Sequence, residues 1–176
     1  MAILDMLRRK KLKLLDIRIE EKRLTAKERT IINKIEYVHK EKEDLFRKGS
    51  QTSSKVLRMS YARRFEELGK QLGMLEREAL IVSKQLRLIS RLRSILERDP
   101  KKGTDFLAKL SDSQLSHINT LMENANIKEE EFAMRLETML GVVEEPLFEV
   151  GLEGEAAEVL KVWESMDKGV MNIDEG

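Results

Sequence analysis

The sequence predicts an all-α fold: a long antiparallel helical hairpin followed by shorter helices and an acidic C-terminal helix on a flexible linker. Three observations predict it. Apolar residues recur at helical spacing over most of the 176 positions, and strand-type alternation is hard to find. Charged residues make up 37% and aromatic ones 5%, so the core must be a seam between helices rather than a ball. The chain holds two prolines, and residues 49–54 (Gly-Ser-Gln-Thr-Ser-Ser) are the clearest interruption in its first hundred positions.

Residues 1–13 set an apolar tip (Met1, Ile3, Leu4, Met6, Leu7) against a polybasic cluster (Arg8, Arg9, Lys10, Lys11, Lys13). Short apolar insertion, with about 1 kcal/mol of attraction to acidic lipid per basic residue, gives reversible membrane attachment. The same residues also fit a helix start whose apolar side chains pack on a neighbour.

A basic hairpin is expected over residues 5–98. Its first arm reaches residue 47, with Leu14, Ile17, Leu24, Ile31, Ile35, Val38 and Leu45 on one narrow stripe and Glu21, Glu28 and Lys42 invading the other core position. Gly49 suits a left-handed residue past the helix end, and Ser53 or Ser54 can cap the next helix. So short a turn makes the arms antiparallel.

The second arm, residues 55–98, carries the most regular pattern. Tyr61, Phe65, Leu68, Leu72, Leu75, Ala79, Val82, Leu86 and Ile89 alternate steps of four and three, the seam of a heptad helix. The heptad position opposite reads Arg63, Lys70, Arg77, Lys84, Arg91 and Arg98. At about 1.5 Å per residue this is a positive stripe roughly 50 Å long. Ile81, Leu88, Leu92 and Ile95 form a second apolar strip beside the seam, an assembly strip that one partner helix cannot cover. Gly69 and Gly73 interrupt the arm, admitting either a bend or a close backbone approach.

Asp99 and Pro100 stop the second arm, with Lys101, Lys102 and Gly103 beyond them. Short helices are expected over residues 104–141: one led by Phe106, Leu107 and Leu110, a second capped by Ser111 with Gln114, and a third capped by Asn126 with Glu129 and closed by Gly141. Residues 142–176 hold an acidic linker, a terminal helix and a tail. Val159, Leu160, Trp163 and Met166 share a face of that helix, which suits docking into a groove.

Chemistry is not evident. The chain has no cysteine, which excludes disulfides and thiolate catalysis. His39 and His117 stand alone, without a second histidine at ligand spacing. No phosphate-binding glycine loop or nucleophile elbow occurs. No enzyme activity, catalytic residue, metal site or cofactor is expected. No apolar run approaches the ~20 residues needed to span a bilayer, and no secretory signal is read.

The net charge of +1 conceals a strong asymmetry. Residues 1–100 hold 26 Lys/Arg against 15 Asp/Glu, a net +11, whereas residues 101–176 hold 7 against 17, a net −10. A basic surface for an anionic partner follows, with an acidic segment able to occupy it in the partner's absence.

The apolar and basic tip Met1–Lys13, the basic row from Arg63 to Arg98 and the acidic region from Glu144 together resemble the plan of the ESCRT-III superfamily, which includes the bacterial phage-shock-protein-A-like membrane-remodelling proteins. The resemblance is one of architecture and charge order, without a short diagnostic motif. It implies hairpins packed side by side into filaments on acidic membranes, an acidic end that holds subunits closed, and a terminal helix that recruits an ATPase. Val159, Leu160 and Trp163 would sit in that helix, although the basic residues expected among its leucines are not clearly present.

Two functions are therefore expected as alternatives. The first is a non-catalytic, self-assembling scaffold that remodels acidic membranes, cytoplasmic and peripheral on a membrane's inner face, with itself, acidic lipid and an ATPase or other protein as partners. The second is a soluble coiled-coil adaptor or stalk that binds an acidic protein. Nucleic acid ranks behind both, since a straight stripe tracks phosphates but offers no base-reading element.

Overall fold

A computed structural model of the chain describes residues 2–8, 12–140 and 155–167 and shows an all-α protein, with no strand among them. Two compact units are distinguished, residues 1–128 and 129–176. The first contains α1 (Ala2–Arg8), α2 (Leu14–Gln51), α3 (Lys55–Arg98), α4 (Pro100–Ala108) and α5 (Asp112–Glu123); the second contains α6 (Glu129–Leu140) and α7 (Glu155–Asp167).

The hairpin is α2 against α3. Pairs across it run in opposite residue order: Arg18 with Glu97, Glu21 with Arg93, Lys27 with Glu78 and Glu41 with Arg64. Two of the charges that interrupt the α2 stripe, Glu21 and Lys42, meet partners on α3. Arg93 Nη1 donates to both Glu21 carboxylate oxygens at 2.7 and 2.6 Å, and Lys42 Nζ lies 4.6 Å from the centre of the Phe65 ring. Ile17, Leu24, Ile31 and Val38 from α2, with Leu68, Leu72, Leu75, Val82 and Ile89 from α3, are buried as the two stripes require.

The first arm is not one helix from residue 5. Leu12 and Lys13 are not helical, and α2 opens at Leu14. Five cations among residues 8–13 would repel along a continuing helix, and the Lys13 N–H instead donates to Asp16 Oδ2 at 3.2 Å as α2 begins. The turn also differs. Gly49 is helical, and the connection is Thr52 to Ser54. Arg58 Nε donates to the carbonyls of Gly49 and Thr52 at 3.2 and 2.7 Å, so a side chain satisfies the α2 terminus and no left-handed residue is needed. Ser54 caps α3, accepting from the Leu57 N–H at 3.4 Å.

Asp99 ends α3 and starts α4, accepting from the N–H groups of Lys101 and Lys102, with Pro100 as the first helical residue. The first of the short helices, expected to open near residue 104, thus opens at Pro100, and Gly103 lies inside it. A Cβ at Gly103 would stand 3.0 Å from the Ile95 carbonyl oxygen and 3.1 Å from Leu96 Cδ2, so glycine lets α4 fold back against the end of α3. At Gly73 a Cβ would meet nothing within 4 Å, and no close approach explains that glycine.

The Ser111–Gln114 capping box forms, with the Gln114 N–H donating to Ser111 Oγ at 3.2 Å and the Ser111 N–H to Gln114 Oε1 at 2.9 Å. Leu115, Ile118, Leu121 and Met122 of α5 are buried, and α1 packs against α4 and α5. Asn126 does not directly precede the third short helix. Helix α6 opens at Glu129, and the Asn126 N–H donates to Asn124 Oδ1 at 2.9 Å in a tight turn.

In the second unit, α6 buries Phe132, Ala133, Leu136 and Leu140, while α7 exposes Val159, Leu160, Val162, Trp163 and Met166. Gly141, the acidic linker from 142 to 154 and the tail beyond Asp167 lie outside the described residues.

Candidate functional site

The basic row on α3 divides. Arg63, Lys70, Arg77 and Arg98 are exposed, whereas Lys84 and Arg91 retain 0% and 2% of their accessible surface. An unbroken solvent-facing stripe is therefore not present. Lys84 Nζ donates to the carbonyls of Asn124 at 2.7 Å and Leu121 at 3.4 Å, placing a full positive charge on the last turn of α5. That end of a helix carries negative partial charge, which favours a lysine at this position.

The assembly strip is also covered. Leu88 and Leu92 are buried, and Ile81 and Ile95 are half-buried. Helices α4 and α5 of the same chain pack on α3, so the second strip finds its cover within the chain.

The N-terminal tip is corrected in the same sense. Ile3, Leu4 and Leu7 are buried and Met6 is half-buried, because α1 lies against α4 and α5. The packed helix start, not a free apolar tip, is the form observed. Arg8 and Lys13 are exposed; Met1, Arg9, Lys10 and Lys11 lie outside the described residues.

What remains open to a partner is the distal part of the hairpin. Between residues 45 and 65 there are six Lys/Arg and no Asp or Glu. Arg47 is held by Asp44, and Arg64 by Glu67 and Glu41, which keep its guanidinium pKa above the ordinary value. Lys48, Lys55 and Arg63 project from the same region and are exposed. Further along α3, Lys70 is held above its ordinary pKa by the hydrogen bond to Glu66, whose carboxyl is lowered in turn.

Apolar side chains are exposed beside these cations. Phe46 is 72% and Val56 76% accessible, and Leu57 and Met59 are about half so. An open cleft of about 320 Å³ is lined by His39, Lys42, Glu43, Phe46 and Phe65. Periodicity marks Phe65 and Lys42 but not Phe46, Val56, Leu57 or Met59, which flank the turn and share no single helical face. The signal that finds them is the absence of acid from 45 to 65, next to an apolar residue on each side of the turn.

Among the described residues no group of three or more His, Asp or Glu side chains could hold a metal ion, and no helix is long and apolar enough to cross a membrane. Comparison of the chain with protein-family models, with curated proteins and with solved structures gives no match.

Proposed function

We propose that this protein is a non-catalytic scaffold that binds acidic membrane surfaces through its hairpin, peripherally and on a cytoplasmic face, and assembles there with copies of itself. The observation that supports this reading is the exposed basic surface of α3, with Arg63, Lys70 and Arg77 in a row, in a chain whose residues 101–176 carry a net −10. The plan resembles that of the ESCRT-III superfamily, and α7 would serve as the segment that recruits a partner such as an ATPase. In this reading the folded unit is the unassembled form, since assembly through Leu88 and Leu92 requires α4 and α5 to leave α3.

The test is sedimentation with phosphatidylserine–phosphatidylcholine vesicles, with imaging of the pellets. Pelleting is expected to need the acidic lipid and to weaken with salt. Arg63→Glu, Lys70→Glu and Arg77→Glu together should abolish it. Pelleting of this triple variant at the level of the native protein would remove the row from the membrane face. A native protein that stays in solution with acidic vesicles at low salt would end the scaffold reading.

The burial of Ile3, Leu4, Leu7, Leu88 and Leu92 favours a second reading, a coiled-coil adaptor that binds an acidic protein. It predicts a discrete monomer or dimer by light scattering at every protein concentration, with no lipid dependence.

A further inference from the structure

We infer that the distal end of the hairpin, where Phe46, Val56 and Met59 stand exposed among Lys48, Lys55 and Arg58, is the part of the protein that enters the headgroup region of an acidic bilayer. This rests on the membrane-binding reading and adds where the apolar insertion occurs. The N-terminal tip cannot supply it in the folded unit, because Ile3, Leu4 and Leu7 are buried.

Three features of the hairpin end fit a lipid surface. The first is composition: over residues 45–65 every ionised side chain is cationic, and an acidic leaflet attracts such a segment by about fivefold in affinity per basic residue. The second is reach. Phe46 and Met59 lie within about 10 Å of the connection along the helix axes, the depth to which interfacial apolar residues settle.

The third feature is that several polar groups at the helix ends are bonded within the chain itself. Arg58 Nε donates to the Gly49 and Thr52 carbonyls, Ser50 Oγ donates to the Arg47 carbonyl at 2.7 Å, and Ser54 Oγ accepts from the Leu57 N–H. Backbone groups already bonded cost less to withdraw from water than free ones. A second copy is a poor occupant, since two such ends would bring like charges together.

The chain has no cysteine, so Val56→Cys and Leu15→Cys each give the full-length protein a single position for an environment-sensitive fluorophore. Leu15 is exposed at the opposite end of the hairpin and serves as the control. With phosphatidylserine–phosphatidylcholine vesicles, the label at 56 is expected to shift to the blue and brighten severalfold, and the label at 15 to stay unchanged. Lys48→Gln with Lys55→Gln should weaken binding by about 25-fold.

Co-sedimentation without a shift at 56 would overturn the inference and leave the membrane reading intact. Absence of co-sedimentation would remove both. An equal shift at 56 on adding polyglutamate would assign this end to an acidic protein instead, and overturn the lipid commitment.

Discussion

From Leu14 to Val38 and from Leu68 to Arg98, the hairpin buries Ile17, Leu24, Ile31, Val38, Leu68, Val82, Leu88 and Leu92. From His39 to Glu67, all of them described residues, it buries none. The helices are the same two, and the stripe residues Leu45, Tyr61 and Phe65 continue the pattern. The difference is the added layer. At the base, α4 and α5 pack on α3 and α1 packs on them, whereas among the described residues of this unit the far end is formed by α2 and α3 alone. One helix covers one stripe of its neighbour, so a two-helix seam leaves its flanks wet until a third element closes them. The base is thus a small core, and the far end is a surface held in shape by it.

The largest test of that contrast is truncation on both sides of it. Leu88→Ala or Ile118→Ala should cost about 2–5 kcal/mol in denaturant unfolding, through lost burial and an unfilled cavity. Phe46→Ala or Met59→Ala should change stability by no more than about 0.5 kcal/mol. Equal losses at both ends would mean that the far end is as well packed as the base.

Lys84→Ala comes next. Removing a donor that serves two carbonyls at the end of α5 should destabilise by about 1–3 kcal/mol, with hydrogen exchange at the α5 amides accelerating most. Unchanged exchange there would show that Lys84 does not hold α5.

The glycines sharpen the comparison with opposite signs. Gly73→Ala, in open space, should stabilise by about 1 kcal/mol from helix propensity alone. Gly103→Ala must displace Ile95 or Leu96 and should destabilise by about 1–3 kcal/mol. Thermal melts of the two variants moving in the same direction would contradict the packing of α4 against α3.

The smallest effect is expected at Glu66. Lys70 lowers its carboxyl pKa through a hydrogen bond, so the contribution of the pair is present at neutral pH and fades as pH falls through the carboxylate range. Both groups are fully exposed, and solvent screens the pair. Glu66→Gln should leave the acid limb of a stability–pH profile nearly unchanged; a clear shift would mean that this exposed pair supports the far end.

Much of this was legible in the chain. The steps of four and three from Tyr61 to Ile89 identify the seam, and Ser54 and Ser111 mark two helix starts where they occur. Lys84 and Arg91 were misplaced because a heptad pattern sees one partner helix and treats the opposite side as solvent. Their burial was nevertheless signalled. Lys84 is one turn before Leu88, and Arg91 is one residue before Leu92, so the basic row and the second apolar strip run into each other over the last turns of α3. A strip that needs a cover takes its flanking cations in with it. The non-helical Leu12 and Lys13 were hidden differently, since the residues of α1 also fit the start of a longer helix until the repulsion among the cations of residues 8–13 is weighed.

Asp99 joins α3 to α4 by itself, with φ −149° and ψ 99°, and the ring of Pro100 fixes the torsion that follows. A connection of one residue stores no slack. Helix α4 can neither slide along α3 nor drift from it on a tether; it can only swing, like a crank on its pin, about the two torsions of Asp99. Any rearrangement that lifts α4 must turn that one joint, and the two hydrogen bonds that the Asp99 side chain makes to the start of α4 are its detent. Opening the base would then be a single discrete click rather than a gradual loosening.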